Sequence, residues 1–202
     1  MNDRAASEGP EALRALPPSF TYRQALSGGL SERSLYRLRD KGVIEQMGRG
    51  VFRRTDLELV GDIDLLEVAH RVPKATICLT SALSRLDLID DIPIEVDIAL
   101  PRGQHRPVTT APVAWHSFNP STFDVGRTRF RLEDEVVIGM YGPERSIVDA
   151  MRLRHLEGQE MGIVALKRWL ERPGSSPASL LAMARHFPRV QNKLREALEI
   201  LL

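Results

Sequence analysis

The chain has 202 residues, 43% hydrophobic and 27% charged, enough for a packed core in one domain with a smaller companion. Its single cysteine, Cys78, excludes an internal disulfide framework and a cysteine-rich zinc site. The net charge of +1 hides an uneven layout: residues 1–54 carry 10 Lys/Arg against 6 Asp/Glu, residues 55–100 carry 3 against 10, and residues 101–202 carry 15 against 11.

In chain order, residues 1–9 are small, polar and without periodicity, the pattern of a loose tail. A short helix is expected around Glu11–Leu16, stopped by Pro17-Pro18, and a second over Phe20–Leu26 with Ser19 or Thr21 as N-cap. The adjacent glycines Gly28 and Gly29 break it. Ser31 caps a third helix from Glu32 to about Lys41, with Gly42 just past its end. Val43–Met47 and Val51–Arg54 then read as strands around a Gly48-Arg49-Gly50 turn, a hairpin with arginine at its tip. Helix, helix, turn, helix, hairpin is the layout of a winged helix-turn-helix.

The remainder reads as a mixed α+β pattern. Helices are expected over 62–72 and 81–88, and a short buried strand over 75–79. Ile94–Leu100 alternates apolar and polar, the pattern of a half-buried strand. Strands follow over 113–118, 127–132 and 136–141, then helices over 143–156, 160–171, 177–186 and 188–201. The fold class is therefore α+β: a tail at 1–9, a winged helix at 10–56, and an α+β domain at 57–202 ending in a helical bundle.

The basic head suits an anionic partner. On the third helix, Leu35 and Leu38 face the core with Leu30 and Ile44, leaving Arg33, Tyr36 and Arg37 on other faces. In helix-turn-helix docking, the N-terminal part of this helix meets base edges, where arginine pairs bidentately with guanine. Ser31 and Ser34, at the helix start, suit phosphates. Arg23, Arg39, Lys41, Arg49, Arg53 and Arg54 are placed to contact the backbone of double-stranded DNA.

The run from Thr21-Tyr-Arg-Gln-Ala-Leu-Ser-Gly-Gly-Leu-Ser through Arg49-Gly-Val-Phe resembles the winged helix of the AbiEi-type antitoxins. Pro73–Leu83, Ile92–Gly103 and Tyr141–Arg152 are similar to later blocks of the same family, with Ser146 where a threonine is usual. The resemblance implies a transcriptional repressor that binds inverted repeats in its own promoter. It also implies the antitoxin of a type IV pair, opposing a separately encoded nucleotidyltransferase-like toxin. Carried over by position, DNA contacts fall on Ser31, Arg33, Ser34, Arg37 and Arg49.

Two rival functions fit the sequence: a regulator whose C-terminal domain binds a metabolite, and a metal-dependent nuclease using Glu95 and Asp97. Against the nuclease, the closest lysine, Lys74, lies about twenty residues upstream in the sequence, and the two acids fit the solvated polar face of a strand. His105 and His116 lack partners at zinc-ligand spacing, Ser81 lacks the G-x-S-x-G elbow, and no phosphate-binding glycine loop is present. No catalysis, metal or cofactor is expected. Arg145 and Asp149 read as an i, i+4 pair, with Arg145 as a clamp onto sheet carboxylates. No apolar run approaches the roughly 18 residues that span a bilayer, and the first residues lack a secretory core. The expected setting is therefore the cytoplasm.

Overall fold

The computed structural model describes residues 11–58, 62–153 and 160–202. The expected tail at 1–9 and the end of the helix expected over 143–156 lie outside these residues. The chain divides into two compact units. The first comprises residues 1–73, 107–112 and 131–137; the second comprises 74–106, 113–130 and 138–202.

In the first unit, a helical turn at 11–14 leads into strand β1 (Ser19–Thr21), helix α1 (Tyr22–Ser27) and helix α2 (Glu32–Asp40). A hairpin of β2 (Ile44–Gly48) and β3 (Val51–Arg54) follows, and then helix α3 (Ile63–Arg71). The three strands form an antiparallel sheet in the order β1-β3-β2. Phe20 was expected in a helix but lies in β1, opposite Phe52 of β3, with the two rings stacked 6.1 Å apart. The core gathers Leu13, Leu16, Phe20, Ala25, Leu30, Leu35, Ile44 and Phe52, all buried. Both helices have side-chain caps. Thr21 and Gln24 form a reciprocal capping box on α1, and Ser31 accepts from the Ser34 amide on α2. Gly42, at φ +70°, follows the end of α2 in the left-handed region expected of it.

The second unit carries a five-stranded sheet, β6-β5-β4-β8-β7, with β4 (Thr76–Ile77), β5 (Val96–Pro101), β6 (Val113–Phe118), β7 (Arg127–Arg131) and β8 (Val137–Tyr141). β5 runs antiparallel to β4 and parallel to β6. It was expected to be half-buried, yet all six of its residues are buried, because the face that carries Asp97 and Ala99 is also covered, by Cys78, Leu79, Phe118, Phe123 and Tyr141. Helices α4 (Leu79–Arg85), α5 (Pro143–Arg152), α6 (Met161–Leu170), α7 (Pro177–Ala184) and α8 (Gln191–Leu201) share a core that includes Leu83, Ile147, Leu166, Trp169, Leu180 and Leu194. A single 3-10 turn, Pro188–Val190, precedes α8. Among the described residues, no helix is long and apolar enough to cross a membrane.

Candidate nucleic-acid interface

The exposed face of α2 is fixed by what its other face buries. Leu35 is fully buried and Leu38 is half-buried against the same core. That turns Glu32, Arg33 and Arg37 outward, with Arg33 and Arg37 one turn apart on a single face. Ser31, at the helix start, is exposed; its hydroxyl accepts from the Ser34 amide at 3.2 Å and donates to Ser34 Oγ at 2.9 Å. Tyr36 is half-buried and meets Phe52 edge-on, with the Arg39 guanidinium 4.8 Å above its ring. Arg39 also pairs with Asp40.

The ten expected site residues divide by how they are engaged. Arg23, Arg33, Arg37, Lys41 and Arg49 are exposed, and among the described residues no carboxylate lies within ion-pair distance of them. Two like charges a helical turn apart repel, so the Arg33–Arg37 face favours an external anion. Arg53, by contrast, is bound to Glu45, its register partner across the hairpin. Arg54 makes a forked pair with Asp56 at 2.7 and 3.0 Å and reaches the carbonyls of Arg14 and Leu16. The hydrogen bond from Arg54 holds the Asp56 carboxyl below its ordinary range. The register set by the Arg49-Gly50 turn was the signal for the Glu45–Arg53 pair.

Beneath the hairpin, the buried Glu67 of α3 accepts from Arg71 at 2.7 Å and from the amides of Thr110 and Ala111 at 2.9 and 3.0 Å. A Cβ at Gly48 would collide with the Glu67 carboxylate, so the hairpin closes onto this carboxylate only with glycine there. Gly50, at φ +72°, supplies the turn conformation.

A second polar chain in the first unit runs through β1. The fully buried Ser19 hydroxyl donates to Glu133 at 2.6 Å and sits 2.8 Å from His70 Nε2. With the serine proton on Glu133, neutral His70 must donate from Nε2. Burial holds His70 below the ordinary histidine range, and Glu133 opposes this only in part. A histidine with a depressed pKa binds fewer protons folded than unfolded. Its contribution to stability is therefore present above about pH 6.5 and lost as pH falls through the folded pKa. Denaturant titrations at about pH 7.5 and about pH 5 should show the native chain losing more stability than His70→Gln. Equal losses would remove His70 as the cause. Beside this chain, a cleft of about 460 Å³ is lined by residues including Ser19, Thr21, Gln24, His70 and Glu135.

In the second unit, Asp97 is buried, not on a solvated face as expected. Its Oδ2 accepts from the Ser81 amide and hydroxyl at 3.2 Å, its Oδ1 lies 2.8 Å from His116 Nε2, and its own amide donates to Ser81 Oγ. Glu95 lies ahead of the strand, exposed. Among the described residues, no three His, Cys, Asp or Glu side chains gather as a metal site would.

Arg145 pairs with Asp149 on its own helix, 2.8 Å away, as expected, and both are fully buried; the expected clamp differs, because among the described residues no carboxylate of the sheet lies within ion-pair distance of Arg145. Its Nη1 donates to the carbonyls of Thr122 and Val125, and its guanidinium lies over the rings of Tyr141 at 4.1 Å and Phe187 at 4.5 Å. A Cβ at Gly126, which sits at φ +71°, would stand 2.7 Å from Arg145 Cβ, so glycine leaves the room that Arg145 occupies. The sequence motif beginning at Tyr141 thus builds a core.

Comparison with known proteins bears on both units. Residues 11–55 match a family model described as transcriptional regulator, AbiEi antitoxin, which ends before the later blocks of resemblance. In fold, the chain is similar to the crystal structure of the RV2827C protein from Mycobacterium tuberculosis. That likeness has a TM-score of 0.57 at 16% identity and covers 90% of this chain and 71% of that one. No curated protein matches the chain.

Proposed function

We propose, from a first unit whose residues 11–55 match the AbiEi antitoxin regulators, that this chain is a winged helix-turn-helix transcriptional repressor. The observation that carries the reading is the outward pair Arg33 and Arg37 on α2, exposed and without carboxylate partners among the described residues. In this reading residues 10–56 form the DNA-binding domain and α2 enters the major groove. Arg33 and Arg37 read base edges, with Ser31, Ser34 and Tyr36 beside them. Arg23, Lys41 and Arg49 hold phosphates. Arg53 and Arg54 act mainly by holding the hairpin, since Glu45 and Asp56 engage them. The operator is a set of inverted repeats in the chain's own promoter. The chain acts in the cytoplasm as the antitoxin of a type IV pair against a nucleotidyltransferase-like toxin. No metal or cofactor enters this reading.

A reporter gene placed behind the chain's own upstream DNA provides the test in cells. Producing the chain should lower reporter output, and the double variant Arg33→Ala, Arg37→Ala should restore it. Output unchanged by the native chain would remove the repressor reading. A second reading, a regulator tuned by a small ligand, draws support from the cleft beside Ser19 and His70, because Thr21 and Gln24 in its lining are the capping box of α1. A ligand that raises Tm and changes operator affinity together would favour it.

A further inference from the structure

In the second unit, a cleft of about 320 Å³ is lined by Met151, Arg152, Leu153, Arg189, Val190 and Lys193. Three of these six side chains are cationic and none is acidic. Arg152 is held in place from behind. Its Nε and Nη2 bind Asp149 Oδ1 at 3.2 and 2.8 Å, and its guanidinium lies over the rings of Phe118 at 5.4 Å and Phe187 at 5.3 Å. Nη1 of Arg152 has no acceptor among the described residues. Asp149 is shared with the buried Arg145, so one carboxylate faces two guanidiniums and the group keeps a net positive charge.

Arg189 and Lys193 are exposed on the other side of the lining, four residues apart, and among the described residues neither lies within ion-pair distance of a carboxylate. Lys193 stands in the first turn of α8, which has no acidic residue there and no side-chain cap at Val190. A cation at the positive end of a helix dipole is unfavourable, and so is a like charge one turn away. An anion between the three cations would reverse both terms.

We propose that this cleft binds a phosphate monoester carried on a small organic body of mononucleotide size. Two guanidiniums and an ammonium match the charge and the forked oxygen geometry of a phosphate dianion better than a single carboxylate. Met151, Leu153 and Val190 supply the apolar wall for the organic body, and the volume lies in the range of small-molecule sites rather than that of a bare oxyanion. The inference does not rest on the DNA-binding reading, whose residues belong to the first unit.

The test is calorimetric titration of the full chain with AMP, inorganic phosphate and adenosine. AMP should bind saturably, phosphate should compete with it, and adenosine should not bind. Arg189→Ala and Lys193→Ala should each weaken AMP about tenfold, with Lys193→Gln as the milder check if either fails to fold. Arg33→Ala with Arg37→Ala should leave AMP binding unchanged, which separates this site from the proposed DNA surface. No binding of AMP, or equal binding by the native chain and the Arg189→Ala, Lys193→Ala double variant, would overturn the proposal. So would a double variant that loses affinity for a DNA duplex when the native chain never bound AMP, because the cations would then serve a nucleic-acid backbone.

Discussion

Arg33→Ala and Arg37→Ala are each expected to cost about 1–3 kcal/mol of operator affinity, roughly 5- to 150-fold, while binding to a scrambled duplex changes far less. The expectation follows from their place on the outward face of α2, where no internal carboxylate competes for them among the described residues. Arg49→Ala should behave differently. An arginine at the hairpin tip that grips a phosphate should weaken operator and scrambled DNA alike and lower the salt slope by about 0.9. Arg54→Ala should act through stability instead, because its guanidinium is bound to Asp56 and to the carbonyls of Arg14 and Leu16. Fluorescence anisotropy on the two duplexes, with Tm measured for each variant, separates the three behaviours. Four variants with indistinguishable profiles would show that α2 does not read bases.

Asp149→Ala should be the most damaging single change in the second unit. It leaves Arg145 fully buried with no carboxylate, and such a broken pair costs about 3–5 kcal/mol. Set against a typical domain stability of about 5–15 kcal/mol, that takes much of the margin. Arg152 loses the same partner. The double variant Arg145→Met, Asp149→Leu should recover part of the loss, because no unpaired buried charge remains, while the Thr122 and Val125 carbonyls and Arg152 still lose their partners. Trp169, buried in the same helical core, provides the fluorescence signal for denaturant unfolding. A single variant as stable as the native chain would mean that the buried guanidinium is held by its carbonyl and ring contacts alone.

What could be read from the sequence was local. Ser31, Leu35, Leu38 and Gly42 define α2 through neighbours within a dozen residues, and the Arg49-Gly50 turn defines the hairpin. Phe20 fits a helix by local pattern but lies in a strand that exists only through pairing with β3, some thirty residues away. The alternation at Ile94–Leu100 suggests a half-buried strand, because sequence does not reveal that Cys78, Leu79, Phe118, Phe123 and Tyr141 would cover its second face. Asp97 looked solvated for the same reason; its partners Ser81 and His116 lie 16 and 19 residues away. The Ser19–Glu133 hydrogen bond spans 114 residues and has no local signature. At the candidate interface, residue types locate the cations, but charge alone does not separate Arg33 and Arg37 from Arg53 and Arg54. That separation needs the acids at positions 45 and 56, one set by strand register and the other by the chain's exit from β3.

The most direct test of the central claim is binding of the purified chain to the DNA just upstream of its own start codon, titrated across salt beside a scrambled duplex of equal length. The expected result is a preference of about 10³ or more for the upstream DNA, and a log–log salt slope of about 0.9 for each phosphate gripped. Equal affinity for the two duplexes with a shallow slope would contradict it, and would leave the exposed arginines of α2 to a protein partner.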